Sequence, residues 1–459
     1  MKRDLGQLES RIFDLAIIGG GVIGACIARD AARRGVDVAL VEANDFAAAA
    51  SEAMSHTIHG GIRYLAQGRF GLVREAIAER AVWLATAPDF VCEQKFLVPL
   101  RGDAGALKLK AGVALYERMA GGRAEFLSAD AALAMEPLLA MPGLTGAAAY
   151  RDARVDDPHR LIVAMLQDAV RHGAVIANHV QCVGLVTEHG SAAGIEAADR
   201  LSGAPFRIRA SAVISATGPW AQAMASRLLP GQRRARLTAS KGVHIVTPPI
   251  FNTHAVALSG NGEHGFILPW HGMSLVGTTD DVCEGRLHET HATEEEIEGL
   301  AAKITRLLPH ARGALQNRIG SFAGVRALPG APGDTYRASR EVAICDHAGD
   351  GMQGLYSVFG GKWTTARRIA ERFLDQLAPR FEKPLRLCDT KTAHLAAVPL
   401  PTDLTSRLTQ AADEEMAVRE EDFCRRIGRA AMLKSPQMRT EIKAWLASRS
   451  ASRDSGAGL

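Results

Sequence analysis

Three clusters of small residues stand where backbone could close around an anion. The first is Gly19-Gly20-Gly21-Val22-Ile23-Gly24, a GxGxxG pattern built on Gly19, Gly21 and Gly24. A side chain at Gly21 would hold a pyrophosphate away from a helix N-terminus, where free N–H groups and the dipole attract negative charge. Glu42 follows at the spacing of an acid that accepts hydrogen bonds from ribose hydroxyls. The second cluster, Ala216-Thr217-Gly218, ends an apolar run and can wall off the adenosine half of a ligand; its plainer reading is a tight strand-to-helix turn. The third is Gly360-Gly361-Lys362-Trp363-Thr364-Thr365, a glycine pair opening a helix and therefore a further anion site.

These clusters need strands and helices to hold them. Asp14 to Ile18 reads as a strand, Ala25 to Arg34 as an Ala-rich helix and Val36 to Val41 as a second strand, so the GxGxxG occupies its required strand-turn-helix setting. Asp156-Asp157-Pro158 opens a helix over His159 to Arg171, followed by Gly173 and a strand, Ala174 to Val180. Ala212 to Ser215 and Leu355 to Phe359 are short apolar strands, the latter leading into a helix that runs to about Leu377. Between them, Lys241 to Val246, Gly265 to Trp270 and Ser274 to Thr278 read as strands of a separate antiparallel sheet. After Pro384 the chain turns charged and Ala-rich, with helices expected over Glu414 to Met432 and Gln437 to Ser448 and a frayed end from Ser450 to Leu459.

Composition narrows the class. With 459 residues, 47% hydrophobic and 23% charged, the chain can bury a full core of about two or three domains. The net charge of +4 comes without any Lys/Arg block, which gives no ground for nucleic acid binding. The seven cysteines are scattered and form no CxxC, as expected of thiols in a reducing compartment. The histidines lack HxH or HExxH spacing, so no metal site is expected. No stretch reaches the roughly 18 apolar residues of a spanning helix, and the expected location is cytoplasmic.

Taken together, IGGGVIGACIARDAARRG, IHGGIRYL with VREAIAERAVWL, DARVDDPHRLIVAMLQDAVRHGA, ISATGPWA, KGVHIVTP, ILPWHGMSLVGTTD, AGVRAL and SVFGGKWTTARRIAE resemble the FAD-dependent glycerol-3-phosphate dehydrogenases, a branch of the glycine-oxidase-like (DAO) flavoproteins. The resemblance implies an α/β fold in which a Rossmann-like FAD-binding domain is interleaved with an antiparallel-sheet substrate domain, followed by a short C-terminal helical segment. On this reading residues 1–385 form the oxidoreductase region. FAD-binding segments occupy about 12–80, 150–220 and 340–378, and substrate-binding segments about 81–149 and 221–339. Residues 386–459 form a truncated helical cap and flexible tail. The cofactor is then FAD. Its expected contacts are Gly19, Gly21, Gly24, Glu42, Ser51, Gly60, Gly61, Ala216, Thr217, Gly218, Gly361, Lys362 and Thr364, with the Gly360-Gly361 turn facing the N1/O2 edge of a reduced flavin.

The resemblance also implies a reaction: oxidation of glycerol 3-phosphate at its C2 hydroxyl to dihydroxyacetone phosphate, with electrons passed to a quinone. It places Arg63, Tyr64, His244, Arg326, Arg340 and Lys362 in the active site, and their chemistry agrees. A phosphate of nearly two charges calls for several cations, hence Arg63, Arg340 and Lys362, with the Tyr64 hydroxyl as donor. Removal of the hydroxyl proton suits a histidine: His244 first, His59 second. Arg326 would stabilise the developing alkoxide. Implied partners are a small phosphorylated polyol, a quinone or other acceptor such as oxygen, a peripheral contact with the inner face of the cytoplasmic membrane, and a second copy in a homodimer.

Two features depart from the family pattern. A Thr/Ser-rich run ending in Lys normally precedes IHGG, but here the stretch is Ala50-Ser51-Glu52-Ala53-Met54-Ser55-His56, which sets an acid near the pyrophosphate and exchanges a permanent cation for a titratable one. The helical cap is also shorter. The membrane expectation has one local feature, Ala106 to Met119, an amphipathic helix with Leu109, Val113 and Tyr116 on one face and Lys108 and Lys110 beside it, for which an ordinary packed helix is the equal alternative. Rival readings are a dehydrogenase of another polyol phosphate, an amine or amino-acid oxidase of the same superfamily, and a flavin-binding protein with degraded catalysis.

Overall fold

The computed structural model describes residues 1–102, 104–230, 237–260, 262–283, 287–330 and 342–456. Two sheets dominate it. The first runs in the order Val342–Asp346, Leu355–Gly360, Pro205–Ser215, Ile12–Ile18, Val38–Val41, Val175–Ala177, and its last five strands are parallel. Their carboxyl ends share one edge. Buried on both faces, the inner parts of these strands read as apolar runs such as Leu15 to Ile18. A hairpin of Val180–Glu188 and Ser191–Asp199 extends the sheet by pairing with the first half of Pro205–Ser215.

The helix Val22–Arg33 packs between Pro158–Arg171 and Ala366–Leu377. Its small residues, among them Gly24, Ala25, Ala28 and Ala32, permit that close approach, and a buried Arg29–Asp168 pair at 2.7 Å joins it to Pro158–Arg171. At its start, a Cβ on Gly24 would collide with the carbonyl of Gly19, so that turn admits only glycine.

The second sheet runs Asp281–Val282, Leu237–Thr247, Met273–Gly277, Glu263–Trp270, Ala255–Gly260, Val91–Arg101, Leu144–Val155, Thr57–Ile58, with Gly320–Pro329 laid against Leu237–Thr247. It is antiparallel apart from the Val91–Arg101 and Ala255–Gly260 pairing. The expected interleaving is present, with shifted boundaries: Thr57–Ile58 and all of Leu144–Val155 belong to this sheet, although segments 12–80 and 150–220 were expected to serve the cofactor. Short apolar runs carry no mark of which sheet will claim them.

The C-terminal part forms four helices, Leu404–Glu414, Glu420–Ile427, Arg429–Lys434 and Met438–Gly456, around Leu408, Ala411, Phe423 and Ile442. The single helix expected over Glu414 to Met432 is therefore broken, at 415–419 and at Gly428, whose φ is +96°. The expected frayed end is helical as far as Gly456. Leu404–Glu414, which composition did not reveal, is capped by Asp403, whose carboxylate accepts from the Ser406 N–H at 2.8 Å.

No helix among the described residues is long and apolar enough to cross a membrane. The amphipathic expectation for Ala106 to Met119 is corrected in detail. The helix Ala104–Met119 turns Val113 and Tyr116 into the core and half-buries Leu109, leaving Leu107 and Leu115 as its exposed apolar residues.

Candidate active site

A cleft of about 630 Å³ lies between the two sheets, within the range of small-molecule and cofactor sites. The carboxyl ends of four parallel strands open into it through Ile18-Gly19, Glu42, Ala216-Thr217 and Gly360-Gly361, the position where open α/β sheets hold ligands. The opposite wall comes from one face of the second sheet and carries Gly242, His244, Gly324 and Arg326.

The cofactor cradle follows from the glycines. Gly19 has φ +113°, and a Cβ there would stand 2.6 Å from the Ala216 carbonyl. The Val22 N–H, at the helix start, donates to Ser51 Oγ at 3.0 Å, so Ser51 marks the place where an anion would accept. Glu42 lines the cleft with its carboxylate accepting from the Gly20 N–H at 2.7 Å and the Asn44 N–H at 2.8 Å, and burial raises its pKa. A carboxylate has lone pairs enough to hold its own loop and still accept from a ribose. Thr217, Gly218, Gly361, Lys362 and Thr364 line the same cleft. Gly24 supports the turn from behind, and Gly60 and Gly61 also lie outside the lining. The Gly60 N–H donates to buried Asp152, which Arg80 (2.6 Å) and Tyr116 (2.5 Å) also bind. The Gly360-Gly361 pair sits in a left-handed turn, φ +78° and +95°, and the helix it precedes begins only at Ala366.

The same cleft holds the groups capable of alcohol chemistry. His244 and Arg326 project from neighbouring antiparallel strands whose register pairs His244 with Phe322 and Ser240 with Arg326, so period-2 alternation turns both side chains to one face. Two glycines make room for them. A Cβ on Gly242 would strike the Arg326 guanidinium, and one on Gly277 would stand 2.6 Å from the His244 ring. Arg326 is held as a fork, donating to Asp280 Oδ1 and Thr278 Oγ1 at 3.1 Å each and to Ser240 Oγ at 3.3 Å. His244 is buried, with Nε2 3.0 Å from Ser55 Oγ. Burial, then Arg326, His56 and Arg429, hold its pKa well below the usual histidine value, so its imidazole is neutral.

Of the expected phosphate ligands, Lys362 and Tyr64 meet in the cleft, with Lys362 Nζ 3.8 Å from the centre of the Tyr64 ring. Arg63 is exposed and outside the lining; with burial and Lys303 it lowers the pKa of His264. Arg340 lies outside the described residues. His59 lines the cleft, and its carbonyl accepts from Thr364 Oγ1 at 3.3 Å.

The altered loop behaves differently from its charge in the sequence. Glu52 does not line the cleft. Its carboxylate meets Arg425 at 3.1 Å and Arg429 at 3.6 Å, both from the C-terminal helices. His56 is buried outside the cleft with Nδ1 3.0 Å from the Val155 carbonyl; burial and then Arg429 push its pKa down to about 3. The expectation of a titratable cation beside the cofactor is therefore corrected: desolvation keeps His56 neutral.

Sequence reasoning passed over Ser55, Trp220, Trp363, His288, Arg200 and Arg227, all of which line the cleft. Ser55 was visible as a hydroxyl near IHGG, but nothing in the spacing ties it to a histidine 189 residues away. No group of three or more metal-ligating side chains occurs among the described residues.

The FAD-dependent oxidoreductase (DAO) family matches residues 14–367. A glycerol-3-phosphate dehydrogenase of Synechocystis is 32% identical over 421 residues, covering 86% of this chain and 75% of that protein. An aerobic glycerol-3-phosphate dehydrogenase of Staphylococcus saprophyticus is 34% identical over 406 residues, covering 85% and 72%. Among solved structures, the glycerol-3-phosphate dehydrogenase of Bacillus halodurans complexed with FAD superposes with a TM-score of 0.68 at 28% identity, covering 86% of this chain and 70% of that one.

Proposed function

The chain belongs to the FAD-dependent glycerol-3-phosphate dehydrogenases of the DAO family, and from that premise we propose that it oxidises sn-glycerol 3-phosphate to dihydroxyacetone phosphate and passes the electrons to a quinone. The observation that carries this reading is that His244, Arg326, Lys362 and Tyr64 line one cleft together with the glycine turn and acid of a dinucleotide cradle. The glycine turn, the exposed helix start beside Ser51 and the cleft volume fit FAD. Bound FAD supplies the hydride acceptor, flavin N5, for the hydrogen on C2.

Lys362 and the Tyr64 hydroxyl bind the phosphate, with Arg63 and Arg340 as further cations. His244 takes the C2 hydroxyl proton at Nε2, the ring nitrogen that lies 3.0 Å from Ser55 Oγ. Its low pKa keeps the imidazole neutral before substrate binds, the state a base needs. A phosphate dianion close by then favours the imidazolium and strengthens the base at the moment it is needed. The Arg326 fork, already fixed by Ser240, Asp280, Thr278 and the Thr279 carbonyl, meets the oxygen as it gains charge. His59 lines the cleft as the second histidine. Transfer to a membrane quinone would place the protein at the inner membrane face, with Leu107 and Leu115 beside Lys108 and Lys110 as the contact; vesicle co-sedimentation that is indifferent to L107E would remove that part.

The test is anaerobic stopped-flow absorbance of the FAD-loaded protein mixed with glycerol 3-phosphate. Bleaching of the oxidised flavin band is the expected result. A fully loaded flavin that stays oxidised would refute the substrate assignment.

A further inference from the structure

His244 is held from two sides, and both holds lead to one residue of the C-terminal helices. On its face, His244 stacks on Phe322, its cross-strand partner, with ring centroids 4.9 Å apart and planes 16° apart. Over the Phe322 ring lies the Arg429 guanidinium, its carbon 4.0 Å from the centroid. On its edge, His244 Nε2 meets Ser55 Oγ at 3.0 Å. Ser55 closes the loop that carries Glu52, and Glu52 is paired with Arg429 at 3.6 Å and with Arg425 at 3.1 Å. From Arg429, one path therefore reaches the imidazole face through Phe322, and another reaches its edge through Glu52 and the loop.

We propose that Arg429 is a positioning residue for His244, fixing Phe322 and the Ser55 loop together so that the imidazole meets substrate in one orientation and one tautomer. The significance for catalysis rests on the reading of His244 as the base. Arginine suits the place because a planar guanidinium can stack on an aromatic face while its edge reaches a carboxylate, a pair of contacts that a lysine ammonium does not reproduce. Arg429 Nη1 is buried without a hydrogen-bond partner, so the side chain is arranged for the ring and for Glu52 rather than for its own full satisfaction. Simple fastening of the helices is already supplied next door by Arg426, which binds Asp45 with both arms, at 2.6 and 2.9 Å.

The experiment uses the full chain with FAD and compares wild type, R429M, R429K, F322L and H244N. Long-range 1H–15N spectra of histidine-labelled protein, with the His244 signals identified by their loss in H244N, report tautomer and environment independently of turnover. Flavin reduction is followed in parallel at saturating glycerol 3-phosphate across pH. His244 is also faced by Arg326 and His56, which every variant other than H244N keeps along with the base itself. We expect R429M to displace the His244 signals, to slow flavin reduction by about 10- to 100-fold, the scale of a misplaced reacting group, and to move its acid limb upward. R429K should keep the fold and FAD content yet leave most of that loss in place.

F322L breaks the same stack from its other end and should reproduce the displaced signals if R429M does not fold. His244 signals and reduction rates matching wild type in folded R429M, or in F322L where R429M fails to fold, overturn the proposal. Undiminished flavin reduction in H244N would instead remove the base assignment, while the His244 spectra still decide whether Arg429 positions the ring.

Discussion

Replacing Arg326 by Gln tests whether this fork stabilises the reacting oxygen. In the structure the guanidinium is spread over Asp280, Thr278 and Ser240 before any substrate arrives, and the two charged side chains, Arg326 and Asp280, are only 24% and 16% exposed. Gln can reach one of those acceptors and brings no charge. Removal of one preorganised donor at a developing oxyanion slows an enzyme by about 100- to 1,000-fold, or ~3 to 4 kcal/mol of barrier. A second effect has its own sign. Arg326 is the largest cause after burial of the low His244 pKa, so its removal raises that pKa. A base works only when unprotonated; the acid limb of flavin reduction should therefore move to higher pH in R326Q, from a wild-type position below the ordinary histidine value near 6.5. Asp280 keeps the Ser240 hydroxyl but loses its ion pair with Arg326, at a cost of about 1 to 3 kcal/mol in stability, and flavin content and melting temperature must be measured beside the rates. Anaerobic stopped-flow at saturating glycerol 3-phosphate between pH 5 and 9 provides both readings. A fully loaded R326Q that reduces its flavin within threefold of wild type, with an unmoved acid limb, refutes the reasoning.

Three further outcomes follow from the geometry. Lys362→Met should raise KM for glycerol 3-phosphate by about tenfold or more while leaving slow oxidation of unphosphorylated glycerol unchanged, as a kinetic comparison of the two substrates will show. Because His56 is held to about 3 when folded and lies near 6.5 when unfolded, only the unfolded chain gains this proton between those values; its neutrality thus lowers stability as pH falls below 6.5. Between pH 7 and 5.5 the loss is ~1.3 kcal/mol, visible as a steeper fall in denaturation midpoint for wild type than for H56N, a substitution that tolerates the positive φ of 54°. Arg426→Met removes the bidentate cation from the buried Asp45 carboxylate, leaving Asn178 and His159 beside it, and should destabilise the protein by about 3 kcal/mol, with equal unfolding curves for variant and wild type contradicting that expectation.

The parts of the site that were legible in the sequence are those fixed by local rules. A glycine at Gly19 or Gly24 reports its own turn, and strand-turn-helix order places the cradle without reference to distant residues. The KGVHIV and GVRAL segments, read by resemblance, arrive in the cleft because strand alternation leaves no other face for His244 and Arg326. What was not legible depends on partners far along the chain. Glu52 looked like a charge beside pyrophosphate, yet Arg425, 373 residues later, draws it away. His56 looked like a replacement cation, but the polarity of a histidine is decided by its surroundings. Arg63 sits within the motif containing Tyr64 and Gly61, and a short helical turn after Gly61 points it outward while Tyr64 points in. The division between sheets was hidden for the same reason: Thr57–Ile58 is too short to reveal its neighbour, Leu144–Val155.

The arginines of Glu420–Ile427 and Arg429–Lys434 give synthesis of this protein a direction. The loop from Asp45 to Ser55 is made among the first sixty residues, but the groups that neutralise Asp45 and Glu52 leave the ribosome some 370 to 380 residues afterwards. Until those arginines emerge the nascent nucleotide-binding unit carries two acids without their native cations, although Asn178 already reaches Asp45, and its loop settles only once they arrive. A flavin captured on the ribosome would meet an unfinished clasp. The clasp is thereby completed only when the helices Glu420–Ile427 and Arg429–Lys434 fold back onto this loop.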